Sequence, residues 1–196
     1  MDEAAGASAK QVVLLKARRF GDARGWFEEL HSDARFAALG IDLRFVQSNQ
    51  SFSAAPGTLR GIHFQAPPAA QAKLVRCVRG RIMDYAVDLR TGSPTYGRHV
   101  GAELTAERGE ALLVPVGFGH AFLTLEPDCQ VSYMVSGPYA PPLEGGVAWD
   151  DPDLAIDWPI PAGGPVLSDK DRVLPRLADF QSPFAYDGEP MRLVTI

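Results

Sequence analysis

Four side chains in this sequence combine residue type and surroundings in a way suited to proton transfer: His63, Lys73, His120 and Tyr133. Lys73, His120 and Tyr133 each stand at the end or in the middle of an otherwise apolar strand face. In extended chain, side chains two apart share a face. His63 therefore goes with Gln65, Lys73 with Val75 and Cys77, His120 with Phe122 and Thr124, and Tyr133 with Val131 and Val135. Histidine, with an ordinary pKa of about 6.5, is the usual base near neutral pH. A lysine ammonium can steady a developing oxyanion where other proteins use a metal ion, and a phenol can return a proton. The set fits proton chemistry on a carbonyl compound. A base and an acid flanking the plane of an enolate would invert the carbon next to the carbonyl. A lone strand histidine is more often a core residue, and that reading is kept for His31 and His99, which lie in polar surroundings. Lysines are almost never buried without a partner, so Lys73 is hard to explain as packing unless its stem snorkels at a barrel mouth.

The elements that must position these groups are short. The chain has 196 residues, 46% hydrophobic, with 19 glycines and 16 prolines scattered between apolar segments. That length suits one domain with a real core, and the punctuation argues against a helix bundle. One segment reads as helix, residues 32–39, with Ser32 as N-cap and Gly40 as the left-handed C-terminal residue. Strands are expected at 11–17, 25–29, 45–52, 59–64, 73–79, 81–88, 99–104, 110–114, 119–125 and 131–135. Ten strands with so little helix predict an all-β antiparallel sandwich or barrel. Residues 1–10 are expected to be disordered, 11–30 to form N-terminal strands and 45–136 the barrel. Residues 137–196 read as an extended tail with one helical turn near 168–172. Several strands are apolar on both faces, which fits a double-layered sheet around a lined cavity.

Two segments resemble the motifs of the cupin family of β-barrels. The run from Gly109 through Pro115, Gly117 and His120 to Thr124 is similar to G-x-x-x-x-x-P-x-G-x-x-H-x-x-x-N, with Thr in place of the final Asn. The run from Gly57 through His63 and Gln65 to Lys73 and Gly80 resembles the other motif. Metal-binding cupins hold a divalent ion with three His and one Glu. Here Gln65 replaces the second His and Lys73 replaces the Glu. Glutamine is a poor ligand and an ammonium repels a cation, so the barrel is expected to carry no metal. No dinucleotide fingerprint offers a redox cofactor, because Phe122 stands where a third glycine belongs and no βαβ unit surrounds it.

The sequence further resembles the dTDP-4-dehydrorhamnose 3,5-epimerases. The likeness rests on GTLRGIHFQ from Gly57 to Gln65, QAKLV from Gln71, VDLR from Val87, GSPTYG from Gly92, PVGFGHAF from Pro115 and WDDPDLAIDWP from Trp149. It implies a cofactor-independent epimerase inverting C3 and C5 of a dTDP-4-keto-6-deoxyhexose in deoxysugar biosynthesis. In that family's terms His63 is the base and Asp171 the carboxylate that orients it. Lys73 with His120 holds the O4 enolate, Tyr133 is the acid and Tyr139 stacks on thymine. Arg24, Arg60 and Lys170 would hold the diphosphate, and Gln47 and Asn49 would add hydrogen bonds. Phe27 and Glu29 would contact the nucleotide from the partner subunit of a homodimer with exchanged N-terminal strands, and Glu144 falls at a binding position. The family's Ala and Gly around His120 are exchanged, and Tyr133 is followed by Met134-Val135-Ser136, closer to enzymes of antibiotic deoxysugars. Alternatives are an epimerase of one centre only (C3 or C5), a keto-isomerase, or a non-catalytic sugar-nucleotide-binding cupin.

Composition excludes other classes. The net charge is -5 with no basic run, which argues against nucleic acid as a partner. No stretch approaches the ~20 apolar residues of a membrane helix, and the acidic N-terminus has no apolar core of a secretory signal. A cytoplasmic protein with two buried thiols, Cys77 and Cys129, is expected.

Overall fold

The computed structural model describes residues 7–16 and 18–196. The architecture is the expected cupin-type double-layered barrel. In chain order the strands are β1 (Val12–Leu15), β2 (Arg19–Asp22), β3 (Gly25–Glu28), β4 (Gln47–Ser53), β5 (Leu59–Gln65), β6 (Lys73–Arg79), β7 (Arg81–Asp88), β8 (His99–Thr105), β9 (Ala111–Val114), β10 (Phe118–Thr124), β11 (Cys129–Val135), β12 (Glu144–Gly146) and β13 (Leu193–Thr195). One sheet has the order β13-β1-β9-β6-β11-β4, the other β12-β5-β10-β7-β8, and β2 and β3 form a separate hairpin. Among the described residues the one α-helix, α1 (Asp33–Ala38), is capped by the Ser32 side chain, which accepts from the Arg35 N–H.

Three apolar clusters explain why so many strands are apolar on both faces. Between the sheets lie Val75, Ile82, Leu104, Leu112, Phe118, Phe122 and Val131. The outer face of the five-stranded sheet, including Ile62, Val87, Ala121 and Leu123, is covered by the C-terminal tail through Leu154, Trp158 and Phe184. The outer face of the six-stranded sheet packs Val13, Leu74 and Leu113 against Phe36 of α1 and Ile41. Burying both faces removes several apolar side chains per strand from water, each contributing roughly 1.5–3 kcal/mol. Val78, near the end of β6, is 42% exposed.

Ten strands were expected and thirteen are present among the described residues. The unexpected ones are β2, β12 and β13, short pieces without an alternating pattern; β12 is Glu-Gly-Gly and β13 pairs in parallel with β1 across almost the whole chain. The tail holds helical turns at Pro141–Leu143, Asp171–Val173 and Leu177–Asp179. Of residues 1–10, 1–6 lie outside the described residues and Ala7 is buried. His31 and His99 have aromatic as well as polar neighbours: His31 packs edge-on against Phe36 and Phe45 with its Nε2 3.5 Å from Asp33 Oδ1, and His99 packs against Tyr85 beside Arg98.

One backbone approach sets the site. Gly61 of β5 has φ +142, and a Cβ there would lie 2.2 Å from the Ala121 Cβ of β10. Only glycine permits that contact. The close approach lets β5 and β10 pair with His63 opposite His120, across a register shift between His120 and Phe122.

Candidate active site

The strand registers bring the polar groups to one cavity. On the six-stranded sheet Tyr133 pairs with Asn49 and Val75, and Val135 pairs with Gln47 and Lys73. Lys73, Tyr133, Gln47 and Asn49 therefore share one face. On the five-stranded sheet His63 and His120 are partners. An inner lobe of about 200 Å³ is lined by His63, Lys73, His120, Tyr133, Arg60 and Asp171. An outer lobe of about 340 Å³ shares His63, Lys73 and Tyr133 and adds Gln47, Asn49, Tyr139 and Glu144.

His63 is paired with a carboxylate from the tail. Its Nε2 lies 2.5 Å from Asp171 Oδ1. Asp171 is buried, and its other oxygen accepts a hydrogen bond of 2.7 Å from Ser168 Oγ. Burial alone would raise the Asp171 pKa, but the hydrogen bonds from His63 and Ser168 outweigh it and hold the carboxyl below its ordinary value. An ionised partner fixes the imidazole tautomer and stabilises the imidazolium formed when a proton is taken. With Nε2 engaged, Nδ1 is the nitrogen left to accept that proton.

A second pair lies deeper. His120 Nε2 is 2.7 Å from Asp84 Oδ1, and both residues are buried. Asp84 sits on β7 opposite Phe122, on the same face as Ala86, the partner of His120. Burial pushes the Asp84 pKa up, with His120 and Lys73 opposing, and pushes that of His120 down. Asp84 Oδ2 has no hydrogen-bond partner among the described residues. Desolvation lowers the Lys73 pKa to about 8, with Asp84 and Glu144 pulling the other way. Desolvation likewise raises that of Tyr133, opposed by Arg60. The result is an ammonium and a neutral phenol on one wall and a carboxylate-backed imidazole on the other.

The histidines do not assemble as a metal-ligand set. Each Nε2 faces its own carboxylate, Gln65 turns to backbone groups, and no cluster of three or more His, Cys, Asp or Glu suited to a metal occurs among the described residues.

Relatives carry the same fold. Residues 7–179 match the family model described as dTDP-4-dehydrorhamnose 3,5-epimerase. The dTDP-4-dehydrorhamnose 3,5-epimerase of Sinorhizobium fredii is 48% identical over 179 residues, 91% of this chain and 91% of its own. The chain belongs to the dTDP-4-dehydrorhamnose 3,5-epimerase family. Its class of enzyme is therefore isomerase. The crystal structure of the dTDP-4-dehydrorhamnose 3,5-epimerase of Bacillus anthracis, with TDP and PPi bound, is 44% identical with a TM-score of 0.84, covering 89% of this chain and 99% of that one. A 3'-monoepimerase of Streptomyces bikiniensis in complex with dTDP-quinovose is 40% identical with a TM-score of 0.78, covering 85% and 84%.

Against this epimerase family, the residues expected at the site fall into three groups. His63, Lys73, His120, Tyr133, Asp171 and Arg60 meet in the inner lobe. Gln47, Asn49, Tyr139 and Glu144 form the outer lobe, and Lys170 stands at its rim with its Nζ 2.6 Å from Glu144 Oε2. Burial would raise the Glu144 pKa, but the Lys170 hydrogen bond brings it below its ordinary value. Arg24, Phe27 and Glu29 do not join the cavity of their own chain. They lie on or just after the β2–β3 hairpin, where Arg24 pairs with Asp22. Glu28 accepts from Arg19 within the hairpin and from Arg76 of β6, and the second contact fastens the hairpin to the barrel. Asp84 and Ser168 are site residues beyond those expected from the sequence. Asp84 had a usable signal, a carboxylate on an apolar strand in Met83-Asp84-Tyr85-Ala86-Val87. Ser168 had none beyond its place before a helical turn.

Proposed function

We propose that the protein inverts C3 and C5 of a dTDP-4-keto-6-deoxyhexose, of the dTDP-4-dehydro-6-deoxyglucose to dTDP-4-dehydrorhamnose type, by way of an enolate and without a metal or redox cofactor. The supporting observation is that His63 and Tyr133 project from opposite sheets into one cavity whose wall carries Lys73. The 4-keto group acidifies the neighbouring C–H bonds. His63 takes the proton, with Asp171 stabilising the resulting imidazolium. Lys73, backed by Asp84 and His120, donates hydrogen bonds to the O4 enolate, where charge develops. Tyr133 then delivers a proton to the opposite face.

The remaining assignments complete the substrate. Arg60 and Lys170 hold the diphosphate through charge-assisted hydrogen bonds. Gln47 and Asn49 add polar contacts, Glu144 holds Lys170, and Tyr139 stacks on the thymine. Arg24, Phe27 and Glu29 serve the cavity of a partner subunit in a homodimer with exchanged N-terminal strands. In support, Phe20, Trp26 and Phe27 of the hairpin are each more than half exposed in the single chain. The whole chain acts as one catalytic domain in the cytoplasm, with no part for nucleic acid or membrane. No helix among the described residues is long and apolar enough to cross a membrane.

A second reading, inversion at one carbon only, is favoured by the likeness to the Streptomyces bikiniensis 3'-monoepimerase. Incubation with dTDP-4-keto-6-deoxyglucose in deuterated water, followed by NMR of the product, separates the two. Inversion at both carbons supports the first reading, inversion at one supports the second, and an unaltered sugar overturns both.

A further inference from the structure

Gln65 stands two residues after His63 on β5, at the position where metal-binding cupins carry a histidine. It is 3% exposed, and its amide is given over to backbone. Nε2 donates to the carbonyls of Ala69 and of Pro138, the latter at 2.9 Å, and Oε1 accepts the Ala140 N–H at 2.8 Å. Ala69 belongs to the loop between β5 and β6. Pro138 and Ala140 flank Tyr139 in the connection after β11. One buried side chain thus ties together two loops that rim the outer lobe. Two other glutamines grip the same segment: Gln47 Oε1 accepts the Tyr139 N–H at 3.2 Å, and Gln71 Nε2 donates to the Gly137 carbonyl at 2.8 Å. Tyr139 itself is 55% exposed, so hydrogen bonds to its backbone, rather than burial of its ring, hold it in place.

We infer that Gln65 is a positioning residue for the nucleobase subsite: it fixes residues 138–140 so that the Tyr139 ring is presented, before any ligand arrives, as a stacking face. This rests on the assignment of Tyr139 to the thymine made above. Ordering a loop costs backbone entropy for every residue fixed. A loop ordered in advance does not draw that cost from the binding energy. Gln65 acts through Tyr139 on a part of the substrate remote from the reacting carbons, so its loss is felt in binding far more than in turnover.

Binding of dTDP by calorimetry, together with steady-state kinetics, tests this on wild type, Gln65→Met, Tyr139→Ala and the double variant. Methionine keeps the volume and removes all three hydrogen bonds. Gln65→Met is expected to weaken dTDP binding and raise KM about tenfold, with a much smaller fall in kcat. In the Tyr139→Ala background the same change is expected to cost less than about twofold, since nothing remains to be positioned. An equal loss in both backgrounds, or unchanged dTDP affinity in Gln65→Met, overturns the inference. Failure of the wild type to bind dTDP overturns instead the functional reading on which it rests. Should Gln65→Met not fold, Gln65→Glu serves: it keeps the acceptor for Ala140 but loses both donors, and wild-type hydrogen exchange over residues 137–140 together with wild-type dTDP affinity would contradict the inference.

Discussion

Lys73 and Tyr133 project from adjacent strands into the same cavity, one pleat apart, because Val75 stands directly opposite Tyr133 in the β6–β11 register. The electrophile and the acid thus sit on one wall, while His63 reaches in from the other sheet. Their roles require opposite responses to the same desolvation. Burial pulls the Lys73 ammonium toward losing its proton and makes the Tyr133 phenol hold its own more tightly.

A pH profile follows from Lys73. The ammonium must be charged to hold the enolate, and its pKa is lowered to about 8. The kcat/KM, which reports the free enzyme, is expected to fall about tenfold per pH unit above pH 8. Tyr133 stays protonated through that range. A profile flat to pH 10 would show that the enolate does not depend on this charge.

The same residue should set activity against stability. Its folded pKa of about 8 lies below the ordinary 10.5, so the unfolded chain binds the proton more tightly and stability rises with pH between those values. At pH 7 the desolvated charge costs on the order of 3 kcal/mol. Lys73→Met is expected to abolish epimerisation while raising the melting temperature at pH 7, as scanning calorimetry would show. A lower melting temperature would mean that the ammonium is well solvated or well paired.

Asp171→Asn tests the dyad. The amide keeps the shape but can neither stabilise an imidazolium nor hold the same tautomer. A loss in kcat of about a hundredfold or more is expected, with dTDP affinity within about twofold of wild type. The Asp171 carboxyl is held below its ordinary pKa, so the stability it contributes is present above the unfolded value near 4 and is lost as pH falls through the folded one. Asp171→Asn should therefore flatten the acid limb of a denaturation profile.

Tyr133→Phe removes the acid but leaves the base. The enolate then regains its proton from His63 on the face it left. Deuterium should wash into the sugar with inversion strongly reduced, resolved by NMR of the recovered nucleotide sugar. Full inversion in this variant would place the acid elsewhere.

How much of this was legible beforehand depends on locality. Lys73, His120 and Tyr133 announce themselves because a polar group on an apolar strand face needs a reason, and period-two alternation exposes the face; His63 is marked by the motif it sits in. Asp171 could be reached only by resemblance, since its partner is 108 residues away and it lies in a helical turn without periodicity. Asp84 was as visible as Lys73. Its meaning depends on the β7–β10 register, which pairs it with Phe122 and brings its carboxylate to His120, and that register is a long-range fact. The strands β12 and β13 escaped for the same reason, being defined by their partners rather than by their own side chains. Arg24, Phe27 and Glu29 were placed by resemblance. The chain's own fold sets them on a hairpin away from its cavity.

Proton exchange by His63→Ala tests the account most directly. The variant, incubated with dTDP-4-keto-6-deoxyglucose in deuterated water, should bind dTDP as wild type does and incorporate no deuterium at C3 or C5. Deuterium entering either carbon at the wild-type rate would remove His63 as the base and with it the proposed mechanism.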